Sequence, residues 1–471
     1  MGIGTSEYLQ TCFTTQQTAT AISPIHTLQQ RHELIDACIA LLKENYQSIL
    51  DAMEADFGQR SRGMGLMYDV MGSIGSLNYA RKHAGEWMRP QKRKTPFPFN
   101  LSGAKVHIEY QPKGVIGILG TWNFPVFTLF SPLAQVLAAG NRCIIKPSDL
   151  VPCTTQILCE LMPRYLQSDT LAIVGGDRLV AETFSSMPFD HLVLTGGTDV
   201  GKAVMAAAAS NLTPLTLELG GKSPVVIGRS ARLKSAAEKI IFTKAINNGQ
   251  MCVSPDYVLL PLEQLESFIC ACRETYPRTC ESAAEGHGSI INERHHERVR
   301  SYLDDAFSRG TRIEILDQKS DYQQRCMPLH LVINPETGSL LDCQEVFGPV
   351  LNIITYDNID EAIEIINAGE KPLALYYFGK DRQEQRLVLD STRSGGVTIN
   401  HVAMHPGAED APFGGVGSSG IGHYHGREGF LEFSHARTIF TQGRFDIAGL
   451  FGARAPFGEK LQKQLESGLK R

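Results

Sequence analysis

The middle of the chain alternates short apolar runs with longer stretches of helical periodicity. Residues 114–120 form a continuous apolar run, which is typical of a strand buried on both faces. The spacing of apolar positions predicts a helix over residues 125–139, and residues 143–146 form a second buried strand. A strand, a helix and a strand in this order make a βαβ unit, from which parallel sheets are built.

The same alternation continues to residue 209 and restarts after Leu217, with further strands and helices at comparable spacing. The chain is therefore predicted to be an α/β protein with two doubly wound parallel-sheet domains, the first of them Rossmann-like. The predicted strands cover 171–174, 191–194, 223–227, 257–260, 329–333, 350–356, 374–378 and 396–399, and the predicted helices cover 178–185, 200–209, 234–247, 262–275, 292–309 and 358–368.

Segments at both ends of this pattern complete the prediction. Helical periodicity covers residues 27–56 and 66–88. Residues 106–110 alternate apolar and polar positions, so this predicted strand has one face exposed or paired, and residues 436–441 are also strand-like. The polar stretch 457–471 is compatible with a short surface helix but not with a hydrophobic anchor.

Composition narrows the classes of function. The chain has 471 residues, too many for one compact core, and a net charge of −5, which excludes the basic footprint of a nucleic-acid binder. We expect neither a secretory signal nor a membrane span, because the first thirty residues are polar and apolar runs of 18 residues are missing from the sequence. The eleven scattered cysteines suggest a reducing cytoplasm rather than a disulfide framework, and Cys270 and Cys272 are interpreted as ordinary helix residues, not metal ligands.

Two segments follow predicted strands and carry groups suited to a nucleotide. The turn Thr195-Gly-Gly-Thr198 continues to Gly201 and opens a helix, so its backbone N–H groups could hold a pyrophosphate. Its spacing differs from G-x-G-x-x-G, and a tight turn without a ligand is equally compatible with it. Lys146-Pro-Ser-Asp149 places a cation and a carboxylate where α/β sheets bind ligands, although a solvated turn with a helix cap explains the same residues.

Two residues are candidates for covalent chemistry. Glu218 lies in an apolar, glycine-flanked stretch that would raise its pKa toward the range of a general base, with a buried ion pair to Lys222 as the alternative. Cys252 lies thirty-four residues after Glu218 and follows a predicted helix. Any single cysteine is more often a small buried hydrophobe than a nucleophile, so the order and spacing of these motifs carry more weight than each motif alone.

In order and spacing, the motifs from about residue 25 to about residue 445 resemble those of the aldehyde dehydrogenase family. The matching stretches are Trp122-Asn-Phe-Pro125, Lys146-Pro-Ser-Asp149, Thr195-Gly-Gly-Thr198, Leu217-Glu-Leu-Gly-Gly-Lys-Ser-Pro224, Gly249-Gln-Met-Cys252, Glu345-Val-Phe-Gly-Pro349 and Pro412-Phe-Gly-Gly-Val-Gly417. Within the family, the chain is similar to the class 3 and coniferyl aldehyde dehydrogenase branch, through Pro255-Asp-Tyr257, Lys371-Pro-Leu-Ala-Leu375, Gly422-His-Tyr-His-Gly426, Phe189-Asp-His-Leu192 and Asn211-Leu-Thr-Pro-Leu-Thr-Leu-Glu218.

The resemblance implies a role for each motif. Cys252 would attack the aldehyde carbonyl, the Asn123 side chain and the Cys252 backbone N–H would hold the oxyanion, and Glu218 would activate water to hydrolyse the thioester. The cofactor would be NAD, with NADP possible, and no metal is implied. Its contacts would be Thr121, Trp122, Lys146, Asp149, Gly196, Gly197, Thr198, Val200, Gly201, Leu219, Glu345 and Phe347.

Three positions depart from the family pattern. Asp149 replaces a frequent Glu, Gln344 replaces the first residue of an acidic pair, and His401 follows Asn400 where the coniferyl branch usually carries Asp. If the loop 401–410 borders the substrate funnel, the preferred aldehyde differs from coniferaldehyde. The expected substrate is an aromatic, coniferyl-like aldehyde or a medium-chain aliphatic aldehyde, and Phe124, Phe127 and Met251 are expected beside it.

The resemblance also implies a domain organisation. Residues 1–93 and 113–220 would form the NAD(P)-binding domain, 221–420 the catalytic domain, 94–112 and 430–445 the oligomerisation strands of a homodimer or homotetramer, and 446–471 a C-terminal tail. Two alternatives remain open: a non-catalytic binding or structural relative on the same fold, and a thiol esterase that uses the same cysteine and glutamate.

Overall fold

A computed structural model describes residues 4–279, 288–317, 325–450 and 452–469 of the chain. Its strands are β1 Gln91–Arg93, β2 Lys105–Pro112, β3 Val115–Leu119, β4 Arg142–Lys146, β5 Leu171–Ile173, β6 His191–Gly196, β7 Leu215–Leu219, β8 Pro224–Ile227, β9 Tyr257–Pro261, β10 Arg312–Ile315, β11 His330–Ile333, β12 Val350–Tyr356, β13 Ala374–Phe378, β14 Gly396–Ile399, β15 Gly420–Ile421 and β16 Ser434–Thr441.

The helices are α1 Ser6–Ile22, α2 Leu28–Phe57, α3 Arg62–Met64, α4 Gly72–Trp87, α5 Phe127–Ala138, α6 Pro152–Tyr165, α7 Arg178–Ser185, α8 Thr198–Ala209, α9 Leu233–Ala245, α10 Leu265–Thr275, α11 Glu293–Ser308, α12 Leu340–Cys343, α13 Ile359–Ala368, α14 Arg382–Ser391, α15 Gly426–Glu432, α16 Ile447–Leu450 and α17 Glu459–Leu469. Within these described ranges, no helix is both long and apolar enough to cross a membrane.

The first sheet has the strand order β15-β7-β6-β3-β4-β5. Its strands are parallel except β15, which pairs antiparallel with β7 so that Gly420 lies opposite Glu218. From the central β3 the chain moves outward through β4 and β5, and then outward on the other side through β6 and β7. The loops after β3 and β6 therefore diverge at a topological switch point, the place where such sheets bind ligands.

The second sheet has the order β10-β11-β12-β9-β8-β13-β14 and is parallel except for β10. The residues 220–223 connect β7 of the first sheet directly to β8 of the second. Consequently the carboxyl end of β7, which carries Glu218, lies near the amino ends of β8 and of its neighbour β9. The two-sheet α/β prediction is confirmed.

A third, antiparallel sheet joins β1, β2 and β16 in that order. Most of β16 is exposed, and β2 is only partly buried. Two short strands lie next to the expected boundaries at residues 93 and 420. Strand β1, which ends at residue 93, belongs to this small sheet, and β15, which begins at residue 420, belongs to the first sheet.

One hydrophobic core runs through both parallel sheets. It joins residues of α2, α4 and α5 with residues of β3, β4, β8, β9 and β12, so the two sheets pack as one body around the junction. Because protein interiors are close-packed, side chains at this junction are held firmly.

Two helical regions differ from the sequence prediction. The sequence showed no helix before residue 27, yet α1 forms, because Leu9 and Phe13 are buried and Gln16 Nε2 donates to the Cys143 carbonyl at 2.8 Å. The helix expected over 66–88 begins instead with a π-helical turn, Gly65–Met71, before α4. The predicted C-terminal surface helix is present as α17.

Candidate active site

Cys252 follows a sharply bent turn at the end of α9. Asn247 and Asn248 have left-handed φ values of 49° and 54°, which asparagine tolerates better than most residues. The buried Gln250 side chain holds the turn, since its Nε2 donates to the carbonyls of Asn247 at 2.9 Å and Ser289 at 3.0 Å. Cys252 itself is partly buried and has no disulfide partner.

Glycines bring the Cys252 turn against the loop that carries Glu345 and Phe347. Gly249 has φ +74°, and a Cβ atom there would lie 2.3 Å from the Gly348 carbonyl oxygen. A Cβ atom on Gly220 would lie 2.2 Å from the Glu345 carboxylate. Neither position could carry a side chain without displacing its neighbour, which explains why these motifs contain glycine.

Burial and negative neighbours raise the pKa of the Cys252 thiol. Desolvation is the main cause, and the carboxylates of Glu218 and Glu345 add to it, while the backbone N–H groups of Val253 and Cys252 act in the opposite direction. Of the nearby cations, Lys222 pairs with Asp256 instead. These effects favour the thiol form of this sulfur over the thiolate.

Glu218 lies on β7 with its side chain buried. Desolvation raises its pKa well above the ordinary value, and its Oε1 atom has no hydrogen-bond partner among the residues that the structure describes. The alternative ion pair with Lys222 is wrong, because Lys222 donates to Asp256 and to the carbonyls of Leu341 and Gln344. An unpaired carboxyl group near a thiol is the arrangement that a general base requires.

Asn123 follows β3 and is buried beside the Cys252 turn. Its Nδ2 donates to the Gln250 carbonyl at 3.2 Å. An amide nitrogen carries two hydrogens, so one N–H remains for an oxyanion. The backbone carbonyl of Asn123 accepts hydrogen bonds from Asn247 Nδ2 and Arg60 Nη1, each at 3.0 Å.

The glycine-rich turn lies at the carboxyl end of β6. Gly197 caps α8 without a side-chain hydrogen bond, and Thr198, which begins the helix, donates to the Ser418 carbonyl at 3.4 Å. A Cβ atom on Gly201 would lie 2.7 Å from the Leu219 side chain, so glycine allows α8 to pack closely on β7. Gly196 ends β6, and Val200 is exposed on the first turn of the helix.

Lys146 and Asp149 lie at the carboxyl end of β4. Lys146 is buried, and its Nζ donates to the carbonyls of Pro147 at 3.2 Å and Gly176 at 3.1 Å. Burial lowers the pKa of Lys146, while Asp149 and Asp177 raise it. Asp149 is exposed, so a solvent-facing carboxylate lies close to a buried cation at this edge.

Aromatic rings line the opposite side of the switch point. The Trp122 ring lies 5.4 Å from Phe347 and 5.3 Å from His295. Thr121 is fixed by a hydrogen bond from its N–H to Thr128 Oγ1 at 3.3 Å. The neighbouring Glu345 has its pKa raised to about 7, mainly by burial, and is oriented by the Gly221 N–H.

These groups fit a dinucleotide. The α8 amino terminus offers backbone N–H groups without a side-chain cap, Gly201 allows a close approach, and Asp149 with Lys146 suits ribose hydroxyls. Trp122 and Phe347, whose rings meet edge to face, offer partly buried apolar surface for a ring. Among the described residues, no cluster of His, Cys, Asp or Glu could hold a metal, and Cys270 and Cys272 lie on α10 as expected.

The side chains expected around the substrate lie near the nucleophile. Phe124 and Met251 are buried in the main core, and Phe127 packs against it. Tyr376 ties the 401–410 loop to the Cys252 turn, because its hydroxyl donates to the Val253 carbonyl and accepts from the Ala403 N–H. Tyr424 is close enough for the Cys252 and Glu218 charges to raise its pKa.

The structure shows the contacts of two of the three residues that depart from the family pattern. The backbone carbonyl of Gln344 accepts a hydrogen bond from Lys222 Nζ at 2.9 Å. Because this contact does not involve the side chain, Gln344 makes it as well as an acidic residue would. His401 turns its Nδ1 toward Val402, accepting from the Val402 N–H at 2.9 Å. The sequence assigned no role to Tyr376, Tyr424, Arg60 or Asn247. Tyr424 lies within the Gly422-His-Tyr-His-Gly426 motif, and Asn247 lies two residues before Gly249-Gln-Met-Cys252.

Comparison with known proteins places this chain in a family. The profile of the "Aldehyde dehydrogenase family" matches residues 7–439, and the chain belongs to that family. A "Coniferyl aldehyde dehydrogenase" from Pseudomonas sp. is 44% identical over 442 residues, covering 92% of this chain and 90% of the relative. A "Probable coniferyl aldehyde dehydrogenase" from Caulobacter vibrioides is 43% identical over 450 residues, covering 94% and 93%. The resemblance to the coniferyl branch is thus confirmed.

Solved structures of aldehyde dehydrogenases have the same fold as this chain. The Staphylococcus aureus AldH in a substrate-bound state superposes with a TM-score of 0.91 and 30% identity, covering 98% of this chain and 99% of that one. A Mycobacterium tuberculosis aldehyde dehydrogenase complexed with NAD+ gives a TM-score of 0.80 and 26% identity, covering 90% and 87%. A dog relative at 34% identity, covering 88% of this chain and 90% of the relative, is described as dimeric and NADP-preferring.

Proposed function

We propose that this aldehyde dehydrogenase oxidises an aldehyde to the carboxylic acid through a covalent intermediate on Cys252. The observation that carries the proposal is the unpaired, buried carboxyl group of Glu218 within electrostatic range of the Cys252 sulfur. A non-catalytic relative would have no need of this costly arrangement, because an unpaired buried carboxyl group destabilises the fold.

The Cys252 thiol loses its proton to solvent and its sulfur attacks the aldehyde carbon. The S–C bond forms as the carbonyl π bond opens, and the oxygen becomes an oxyanion. The second N–H of the Asn123 amide and the Cys252 backbone N–H hold that oxygen. A bound nicotinamide would supply the hydride acceptor, and loss of hydride from the carbon would leave a thioester on Cys252. Glu218 then accepts a proton from water, the hydroxide attacks the thioester, and the acid leaves with return of the thiol.

The cofactor is NAD in preference to NADP. Lys146 and Asp149 would hold the adenosine ribose, Gly196 to Gly201 the pyrophosphate, and Glu345 and Phe347 the nicotinamide ribose and ring. Support comes from the exposed Asp149 carboxylate at the end of β4, which accepts from ribose hydroxyls and repels a 2′-phosphate.

The substrate is an aromatic aldehyde of the coniferyl type, with medium-chain aliphatic aldehydes as the second class. The two relatives whose names include coniferyl aldehyde support this choice. So do the aromatic side chains near the nucleophile, since rings offer large flat surfaces to an aromatic substrate. These side chains are Tyr68, Phe124, Phe127, Phe413 and Tyr424.

Assembly and location follow from the same features. The small sheet of β1, β2 and β16 exposes most of β16, which supports a homodimer or homotetramer formed through residues 94–112 and 430–445. Residues 1–93 and 113–220 would then be the cofactor domain and 221–420 the catalytic domain. The unpaired thiols of the described cysteines support a reducing, cytoplasmic location.

An aldehyde panel tests the proposal. NADH formation, followed by its absorbance, should give the highest kcat/KM with coniferaldehyde or a related cinnamaldehyde and lower values with short aliphatic aldehydes. Ester hydrolysis without nucleotide and without aldehyde oxidation would instead support the thiol esterase. Failure of every aldehyde, with NAD+ still bound, would support a non-catalytic relative.

A further inference from the structure

Arg60 is a buried cation outside the residues that would contact cofactor or substrate. It lies between α2 and α3, and its side chain is 2% exposed. The guanidinium group stacks over the Phe57 ring at 4.4 Å and lies 5.4 Å from the centre of the Phe124 ring. A buried charge is costly unless it is paired and hydrogen-bonded, so its partners identify what it holds.

The partners of Arg60 belong to three separate segments of the active site. Nη1 donates to the Asn123 carbonyl at 3.0 Å and to Asn247 Oδ1 at 3.1 Å, and Nη2 donates to Asp69 Oδ2 at 2.7 Å. One planar fork therefore binds the loop after β3, the turn before Cys252 and the π-helical turn at once.

Asp69 also binds the other end of the loop that carries Asn123. It is fully buried, and its second oxygen, Oδ1, accepts from the Val126 N–H at 3.1 Å and the Phe127 N–H at 3.3 Å. The Arg60–Asp69 pair thus fixes residues 123 and 126–127, that is, both ends of a short segment leading into α5. These contacts fix the backbone from which the Asn123 side chain reaches the Gln250 carbonyl of the Cys252 turn.

Asn247 makes a second hydrogen bond to the Asn123 carbonyl, beside that from Arg60. Its Nδ2 donates to the Asn123 carbonyl at 3.0 Å and to the Gln250 carbonyl at 3.2 Å, while its Oδ1 accepts from Arg60. All these contacts converge on Asn123, whose own amide donates to Gln250. In contrast, the pKa of the Cys252 thiol is set by burial, Glu218 and Glu345, and Arg60 does not contribute to it.

We propose that Arg60, held by Asp69, is a positioning residue that fixes the Asn123 amide where the oxyanion forms. The inference rests on the proposed covalent mechanism and assigns Arg60 to one step of it, the stabilisation of the tetrahedral intermediate. Arg60 does not touch the reacting atoms but acts through Asn123. Lysine cannot replace it, because a single ammonium group cannot reach two acceptors on one side and a carboxylate on the other in the fixed geometry of the fork.

A double-mutant cycle of Arg60→Lys and Asn123→Ala tests this assignment. Asn123→Ala should lower kcat/KM for the aldehyde by about 10²- to 10³-fold, as loss of one oxyanion donor does. Arg60→Lys should lower it by roughly 10- to 100-fold, since small misplacements near the reacting atoms have effects of this size. In the Asn123→Ala background, Arg60→Lys should have an effect below about threefold, because the amide that it positions is gone.

Two further readouts separate positioning from general loss of structure. In Arg60→Lys, the Kd for NAD+, measured by quenching of protein fluorescence, and the rate of Cys252 alkylation by iodoacetamide should both stay within about twofold of wild type. The matched control is Arg142→Lys. Arg142 is also buried and donates to the carbonyls of Ala19 and Ser23, but it lies at the amino end of β4, away from the site. This control should keep kcat/KM unchanged.

The outcomes decide between the hypotheses. Additive effects of Arg60→Lys and Asn123→Ala, or a loss of alkylation parallel to the loss of activity, would overturn the role of Arg60 while leaving the covalent mechanism intact. An unchanged kcat/KM in Asn123→Ala would overturn both proposals. If Arg60→Lys does not fold, Asp69→Asn keeps the guanidinium group and the acceptor for Val126, and it should show the same lack of additivity with Asn123→Ala.

Discussion

The carboxyl group of Glu218 raises the pKa of the Cys252 thiol, and burial raises the pKa of Glu218 itself. Ionising both groups would place two negative charges in one buried pocket, so the pair favours at most one charge at a time. Once Cys252 has formed a thioester, its sulfur no longer ionises. In the thioester, ionisation of Glu218 therefore no longer competes with ionisation of Cys252, at the stage where a base for water is needed.

Replacing Cys252 by alanine should abolish aldehyde oxidation and leave NAD+ binding intact, because the other side chains placed at the site form no bond to the aldehyde carbon. Loss of a covalent nucleophile normally costs several orders of magnitude in rate. NADH formation and fluorescence quenching by NAD+ measure the two properties. Cys270→Ala, on the exposed face of α10, is the matched control and should keep full activity. Turnover of Cys252→Ala above about one per cent of wild type would remove Cys252 from the mechanism.

Replacing Glu218 by glutamine should slow hydrolysis of the thioester more than its formation. The first turnover would then produce NADH faster than later ones, so a pre-steady-state burst should appear or grow while the steady-state rate falls. Stopped-flow absorbance measures both phases. Glu238→Gln, a surface carboxylate paired with Arg278, should show wild-type kinetics. A smaller burst with an unchanged steady-state rate would exclude Glu218 as the hydrolytic base.

The pH dependence of kcat should report the same residue. Because burial raises the pKa of Glu218, its basic form is scarce at low pH. Where hydrolysis limits turnover, kcat should therefore rise with pH over a range well above that of an ordinary carboxyl group. In Glu218→Gln this ascending limb should disappear. Its persistence in the variant would assign the limb to another group, such as Glu345, whose pKa is raised to about 7.

Sequence patterns predicted the elements whose burial is uniform along the segment. The apolar runs of β3, β4 and β13 are buried at every position, and the sequence alone indicates such strands. In α1 the buried side chains are few and lie among threonines and glutamines, so the helix depends on contacts with distant residues such as Cys143. Its formation is a tertiary effect that local periodicity does not contain.

The residues of the candidate active site also divide into those that local sequence indicates and those that depend on tertiary contacts. Cys252, Glu218 and Asn123 lie in motifs with characteristic neighbours, and the fold places all three near the junction of the two sheets. Arg60 lies in the polar stretch 59–62, and Asp69 is a single charged residue between apolar neighbours; for a charged side chain, a solvated position is the ordinary interpretation. Their burial arises only because α2, the π-helical turn and the loop after β3 meet in space.

Acid should destabilise the fold through its buried histidines. Burial lowers the pKa of His425 to about 4, whereas an unfolded chain has a value near 6.5. The unfolded state therefore binds a proton first, and the stability contributed by neutral His425 is complete above about pH 6.5 and is lost as the pH falls toward 4. Each such histidine contributes a slope of about 1.4 kcal/mol per pH unit. His26 and His191 have depressed pKa values for the same reason.

His425→Asn tests this slope at one position. Asparagine does not titrate, and it accepts the left-handed backbone at this residue, where φ is 73°. The free energy of unfolding from urea titrations should fall less between about pH 7.5 and pH 5 in the variant, by ~2 kcal/mol, at one fixed protein concentration. The same fall in both proteins would show that His425 is protonated in the folded state.

NAD should be preferred to NADP because of the charges at the end of β4. Asp149 is exposed there, beside Lys146, and both Asp149 and Asp177 act on the Lys146 ammonium group. A 2′-phosphate would gain from Lys146 but would meet two carboxylates, and Lys146 already donates to the carbonyls of Pro147 and Gly176. A unit charge pair at close range is worth roughly 1 kcal/mol in water and more in a cleft, and each 1.4 kcal/mol is about tenfold in affinity. The preference should therefore lie between a few-fold and about a hundredfold in kcat/KM.

Asp149→Ser should narrow the NAD/NADP ratio of kcat/KM, mainly by improving kcat/KM for NADP. The matched control is Asp304→Ser, which replaces an exposed aspartate on α11 and should leave the ratio unchanged. Equal use of both cofactors by the wild type, unaltered by Asp149→Ser, would show that the adenosine ribose does not bind beside Asp149.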